Sequence, residues 1–346
     1  MRAYDPSAVF RLSRRPARRN PFPTTLRARR AILALALVGL AGCAGPAPLP
    51  VVGPVVERPA GQAQRIAPGV YMVRGTGGEP GPDNLGRTGN AGFIVGETGV
   101  LVIDTGVSFR QGEALLAEVA RVTPLPVRLV LVTHTRQEFL FGAAAFRARG
   151  IPVRMHRRAA QLMAARCEGC LKTLQRVLGD DEMRGTTMFT PDGVFDEGHR
   201  IDVIGRPVQV LYEGHSSGPG DIGVFDPRSG VLFAGGLLDQ GYIPDVQDGD
   251  LATWATALGR WQSLPLRQVV PGHGPASSPA LLGEVARYLA QLQGRAAQLL
   301  AQGTALSEVA DRTELPDFRA WDQYDTIHRR NASVVYLRLE RELLFK

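Results

Sequence analysis

The chain has 346 residues, 44% of them apolar and 21% charged, with 40 Lys and Arg against 33 Asp and Glu. That composition excludes a disordered or collagen-like chain, and the length allows one large domain or two small ones around a sizeable core. The formal charge of +7 is confined to a leader: residues 1–43 hold nine Arg and a single acid, Asp5, and the remainder holds 31 basic and 32 acidic residues. A neutral body with no basic stripe interleaved with aromatics speaks against nucleic acid as the partner.

In chain order, Arg29-Arg30 precede an apolar run at 31–40, which ends in Ala41-Gly42-Cys43. Such a run is too short to span a bilayer, which takes about 20 residues. Charged, then apolar, then small residues describe a secretory signal. Residues 40–43 (LAGC) resemble a bacterial lipobox, in which the Cys carries the lipid and begins the mature chain. A plain secreted protein cut nearby is the other reading. We therefore expect a signal peptide with lipobox over 1–43, lipidation at Cys43, and a Pro/Gly/Ala-rich tether over 44–63. The expected location is extracytoplasmic and periplasmic, with the membrane as partner through a lipid anchor. In an oxidising compartment the C-x-x-C pair Cys167 and Cys170 reads as a disulfide, as free thiols or as a redox pair. A zinc site would need a second ligand pair at suitable spacing, and none follows.

Strands then alternate with helices. Residues 69–74 alternate like a strand, and 92–96 with 99–104 form a hairpin around Glu97-Thr98. Apolar positions 114, 115, 119 and 122 predict a helix over 108–122 with Ser108 as N-cap. A buried strand at 127–133 ends in His134. A helix over 138–149 is closed by Gly150, a strand follows at 151–155, and a helical stretch at 157–178 carries the two cysteines. Strands are expected at 200–205, 207–213, 221–226, 230–234 and 267–271, with a helix at 250–263. Helices at 279–302 and 304–311 and a helical tail at 328–345 close the chain. Two sheets packed together and covered by helices satisfy this order, an α/β arrangement of αββα type. The expected domain spans 64–300, with a helical C-terminal extension over 301–346.

Three histidines sit where strands end: His134, His215 and His273. Strand ends place side chains at the rim of a sheet, where sites collect. Around them the sequence resembles the metallo-β-lactamase-fold hydrolases. The marks are 101–106 (LVIDTG), 132–142 (VTHTRQEFLFG), 214–218 (GHSSG), 231–238 (VLFAGGLL) and 269–274 (VVPGHG), in that order. Within that superfamily it is most similar to the periplasmic SoxH-like branch of zinc metallohydrolases associated with quinoprotein dehydrogenase systems. That likeness rests on 108–112 (SFRQG), 141–146 (FGAAAF) and a tail with His328, Asn331 and 336–342 (YLRLERE).

The resemblance implies two zinc ions held by a His-x-His-x-Asp-His motif, two later His and a bridging Asp, with metal-assisted hydrolysis as the activity. This chain keeps His134, His215 and His273. Its second motif position is Arg136, which has no lone pair to give. The motif Asp is Glu138, the third motif His is Phe139, and the bridging Asp is Gly236. The resemblance also puts Asp104 behind the metal-binding loops, although an Asp-Thr-Gly after a buried strand makes a good turn by itself. The expected cofactor is none or one zinc ion.

Three readings follow. One is a binding or accessory protein without metal, with Arg136 paired to Glu138 across the pocket. Another is a mononuclear hydrolase pooling His134, His215 and His273, with Glu138 as a further candidate ligand. The last is a metal-free acid–base enzyme with Arg136 as an anion clamp. Asp221 and Asp239 are candidate replacements for missing ligands.

Overall fold

The computed structural model describes residues 60–345; the signal peptide, Cys43 and the tether as far as residue 59 lie outside them. The first sheet contains β1 (Ala63–Ala67), β2 (Val70–Val73), β3 (Ala91–Val95), β4 (Val100–Ile103), β5 (Val127–Val132), β6 (Val153–His156) and β7 (Gly193–Phe195), in that spatial order. It is antiparallel from β1 to β4 and parallel from β4 to β7. The second sheet contains β8 (His199–Ile201), β9 (Val208–Leu211), β10 (Gly223–Asp226), β11 (Val231–Gly235) and β12 (Gln268–Pro271). Only its β11–β12 pair is parallel.

The side-chain alternation of the central strands builds four layers. Leu101, Ile103, Leu129 and Leu131 of the first sheet meet Val224, Val231, Phe233 and Val270 of the second in one cluster. Their neighbours Val100, Val102, Val130 and Val132 point the other way, to α1 (Phe109–Val122), α3 (Ala143–Arg147) and α4 (Arg157–Met183). On the far face of the second sheet, Leu232 and Ala234 meet α5 (Leu251–Trp261), α6 (Leu281–Ala301), α7 (Leu306–Arg312) and α8 (Arg329–Leu344). With both faces covered, β4 and β11 read as continuous apolar runs rather than alternating ones. The αββα arrangement is thus formed. The C-terminal helices share the core of the second sheet, because α8 lays Ala332, Val335 and Tyr336 into the cluster that holds α5 and α6.

Local differences have local causes. Ser108 caps α1 as expected, its hydroxyl accepting from Gln111 N–H at 3.1 Å. The helix expected over 138–149 is two short ones, α2 (Gln137–Leu140) and α3. The carbonyl of Phe139 accepts from Thr105 N–H and Oγ1 at 2.7 and 2.9 Å, and Gly142 N–H donates to Gly106 O. The loop after β4 thus takes backbone groups a continuous helix would use. The contact requires glycine: a Cβ on Gly142 would stand 2.0 Å from Thr105 O, and one on Gly112 2.3 Å from Gly142 O. Strands β1 and β7 carry no sequence expectation; both lie at the edges of the first sheet.

Candidate functional site

The residues after β5 line a cleft of about 510 Å³ walled on one side by α4, and the ends of β11 and β12 pack beside that strand end. His134 follows β5 and is buried, with its ring tied from behind. Thr133 Oγ1 lies 2.7 Å from His134 Nδ1 and donates to Asp104 Oδ2 at 2.7 Å, while Thr133 N–H donates to Asp104 Oδ1 at 2.8 Å. A hydroxyl that gives its proton to a carboxylate must accept from the imidazole, so Nδ1 carries the hydrogen and Nε2 keeps a lone pair. That Nε2 is buried with no hydrogen-bond partner. Burial, then the charges of Arg136 and His273, hold the His134 pKa well below its ordinary value. Asp104 takes a left-handed backbone (φ 58°) to reach Thr133, and burial pushes its carboxyl up to about 7 against the Thr133 hydrogen bonds. It is therefore both the turn residue and the support of the His134 loop.

His273 follows β12 and is equally buried, but carboxylates flank it. Asp239 Oδ1 lies 2.9 Å from Nδ1 and also accepts His273 N–H at 2.9 Å. Glu138 Oε1 lies 3.5 Å from Nε2, an ion-pair distance too long for a good hydrogen bond. Burial opposes the imidazolium, yet Asp239 and then Glu138 outweigh it and push the pKa up to about 9. Glu138 is held as carboxylate below its ordinary range: burial opposes this, and His273 and Arg136 prevail.

Phe139, fully buried, packs against both histidines. Its ring centroid is 4.3 Å from that of His134 and 5.2 Å from that of His273, and Tyr242 stacks on His273 at 4.1 Å. Gly236 lies against His134 on the β11 side. A Cβ there would come 2.9 Å from His134 Cδ2 and 3.1 Å from Asp221 Oδ2. Asp221 reaches this spot from the loop after β9, its Oδ2 accepting from Ser217 Oγ at 2.7 Å. Burial raises its carboxyl to about 6 against that bond. Asp221 thus brings a carboxylate beside His134 where the aligned position is glycine.

Other expected groupings are not formed. Arg136 does not pair with Glu138. It donates from Nη2 to the carbonyl of Asp245 at 2.9 Å and sets Nη1 3.4 Å from Asp245 Oδ2, and Arg330 shares that carboxylate at 2.5 Å. Burial opposes the Arg136 charge, but Asp245, Glu138, Asp239 and Asp221 together hold it. His215 does not join the other two histidines: it is exposed, its Nε2 2.5 Å from the carbonyl of Asp248, and it does not line the cleft. The loop after β9 continues through Ser216–Asp221 and turns Asp221, rather than His215, inward. Cys167 and Cys170 are free thiols rather than a disulfide. They sit one turn apart on α4, and Cys170 S–H donates back to Arg166 O at 3.7 Å. Among the described residues no three His, Cys, Asp or Glu side chains gather as a set able to hold a metal ion. The donors present therefore do not fit a two-zinc centre.

Asp245, Arg330 and Tyr242 had no sequence signal, since each reaches the cleft from a distant segment. Asp221 and Asp239 were legible only as carboxylates near two of the marks.

Compared with known proteins, residues 85–273 match the family model described as the metallo-beta-lactamase superfamily. The linear primary-alkylsulfatase of Pseudomonas sp. (strain ATCC 19151) is 22% identical over 262 residues, which are 65% of this chain and 49% of that protein. The chain thus spans about half the length of that relative. Among solved structures, a metallo-beta-lactamase from Pontibacter korlensis matches with a TM-score of 0.53 and 22% identity, over 66% of this chain and 98% of that one. A double mutant of the sec-alkyl sulfatase PisA1 matches with a TM-score of 0.62 and 19% identity, over 80% of this chain and 50% of that one. These structural likenesses are of fold.

Proposed function

The chain belongs to the metallo-β-lactamase superfamily, and from that premise we propose that it is a binding or accessory member whose cleft works without the family's two metals. The observation that carries this reading is the Phe139 ring packed against both His134 and His273, at a position where the family places a ligand histidine. An apolar ring takes the place of a donor beside both histidines, and the Arg136 guanidinium adds a fixed positive charge close by, disfavouring a cation there. His273 as an imidazolium has no lone pair to give until it loses a proton that Asp239 and Glu138 hold in place.

The ligand we assign is an amphiphile with an anionic head, the chemistry named by the alkylsulfatase relatives. Asp245 takes only part of the five-donor fork of Arg136. Leu162, Leu174, Val177 and Ile327 offer an apolar wall for a chain. The protein acts, in this proposal, outside the cytoplasm on a lipid anchor at Cys43, beside a quinoprotein dehydrogenase system. The leader order and the resemblance to the SoxH-like branch support that placement.

A mononuclear hydrolase is the second reading, favoured by one observation: Nε2 of both His134 and His273 is buried without a hydrogen-bond partner. Titration calorimetry with octyl sulfate, in chelator and then with added zinc, separates the two. Binding that persists in chelator, is lost in Arg136→Gln and releases no sulfate supports the binding member. Sulfate release that chelator abolishes would overturn it.

A further inference from the structure

Neither reading of the cleft uses the thiols in its wall. Cys167 and Cys170 both line the cleft, Cys167 buried and Cys170 half-buried, on the helix that faces the strand ends. In an α-helix, residues three apart have Cα atoms about 5 Å from each other. That lies within the roughly 4.4–6.8 Å a disulfide spans. Their Cβ atoms stand about 5–6 Å apart in a regular helix, beyond the roughly 3.5–4.5 Å of a disulfide, so closure also requires α4 to tighten between the two residues.

The two thiols are not equivalent. The neighbouring Cys167 thiol favours the Cys170 thiolate and brings its pKa to about 7, against partial burial and the nearby Glu138 charge. The Cys167 thiol is raised by the neighbouring Cys170 and by burial. Cys170 lies mid-helix, so no helix terminus aids it, and Arg166 beside it already pairs with Asp248. The accessible sulfur is thus the ionisable one and the buried sulfur keeps its proton, the division of labour that attack and resolution require.

We infer that Cys167 and Cys170 form a dithiol site in the cleft wall that exchanges with a disulfide-bonded ligand, Cys170 attacking and Cys167 resolving. In the first step the Cys170 thiolate attacks one sulfur of the ligand disulfide. The ligand S–S bond breaks, a mixed disulfide forms, and the first ligand thiolate leaves and takes up the proton Cys170 gave. In the second step Cys167 gives up its proton and attacks Cys170 Sγ. The Cys167–Cys170 bond forms, the mixed disulfide breaks, and the second ligand thiolate leaves and is protonated. The ligand is reduced to two thiols and the chain's dithiol is oxidised. This inference is independent of whether the cleft binds or hydrolyses its ligand.

The test uses the full chain, oxidised glutathione as the probe, iodoacetamide trapping and tryptic mass spectrometry. Cleavage after Arg166 and Lys172 releases residues 167–172, which hold both cysteines and exclude Cys43. The expected result is a peptide lighter by two hydrogens that loses both alkylation sites until it is reduced. Cys167→Ser is expected to hold glutathione on Cys170, and Cys170→Ser to take up none. Both cysteines alkylated after glutathione treatment, or a lasting mixed disulfide on the unaltered chain, would overturn the inference. So would glutathione found on Cys167 in Cys170→Ser.

Discussion

His134 and His273 end strands of different sheets, are buried to the same degree, and each has Nδ1 tied from behind while Nε2 lacks a hydrogen-bond partner. They nonetheless hold opposite charge states. Behind His134 stands a hydroxyl, Thr133, which donates its hydrogen bond to Asp104, and the charge that acts on the ring most strongly is the cation Arg136. Behind His273 stands a carboxylate, Asp239, with a second one, Glu138, ahead of it. Burial pushes both imidazoles toward neutrality, and only two flanking anions overcome it. The same residue type at equivalent strand ends therefore yields a lone-pair donor at one corner and a cation at the other.

The strongest way to break this contrast is to remove the ring that packs against both corners. Phe139→Ala should cost about 3–5 kcal/mol by urea denaturation, as expected for deleting a buried aromatic. A loss below about 1 kcal/mol would mean that the space beside the histidines collapses freely, and that the ring is not a fixed part of the site.

The next test uses pH. His273 has a folded pKa raised to about 9, so its stabilisation is complete below its unfolded value near 6.5 and is lost as pH rises through 9. That loss amounts to at most roughly 3 kcal/mol, and His273→Asn should flatten the slope over the same window. His134 has the opposite sign. Its pKa is depressed, so its contribution is present above its unfolded value and is lost as pH falls below it. Chemical denaturation across pH should show the alkaline loss vanish in the His273 variant while the acid loss remains. A slope that survives in His273→Asn would reassign it to another group.

A smaller effect is expected at Gly236. A Cβ there meets His134 Cδ2 and Asp221 Oδ2, so Gly236→Ala should cost roughly 1–3 kcal/mol by overpacking. In a crystal structure of the variant, the displacement should appear at Asp221 before the tied His134 ring. Movement of His134 first would show that the Thr133–Asp104 tie is weak.

The smallest effect on stability, and the sharpest on chemistry, belongs to Asp104→Asn. An amide facing Thr133 Oγ1 donates where the carboxylate accepted. Thr133 must then donate to His134 Nδ1, which moves the imidazole hydrogen to Nε2. Stability should change by about 1 kcal/mol. Imidazole nitrogen NMR should report the Nδ1–H form in the unaltered chain and the Nε2–H form in the variant. The same tautomer in both would contradict the relay.

Much of this was legible in residue order. Alternation and apolar runs placed the central strands, because buried strands with both faces covered leave unmistakable stretches such as 100–103 and 231–235. Ser108 was legible as a cap because capping is local. The strand-end positions of His134 and His273 were legible for the same reason. What escaped the sequence is long-range. Arg136 meets Asp245 from 109 residues away, so its partner was misassigned to the nearby Glu138. His215 shares the strand-end pattern, but the Ser216–Asp221 loop turns it to solvent and turns Asp221 inward, a choice made by tertiary packing. The helix expected at 138–149 broke because its backbone groups serve the loop after β4, a contact no periodicity reveals.

The central claim is that this cleft works without the family's metals, and metal content tests it most directly. The full chain, purified without a histidine tag, is incubated with Zn²⁺, Fe²⁺ and Mn²⁺, desalted and submitted to elemental analysis. We predict no stoichiometric metal under any condition, with octyl sulfate binding unchanged by chelator. One metal ion per chain, lost in both His134→Ala and His273→Ala, would contradict the account and make the mononuclear hydrolase the correct reading.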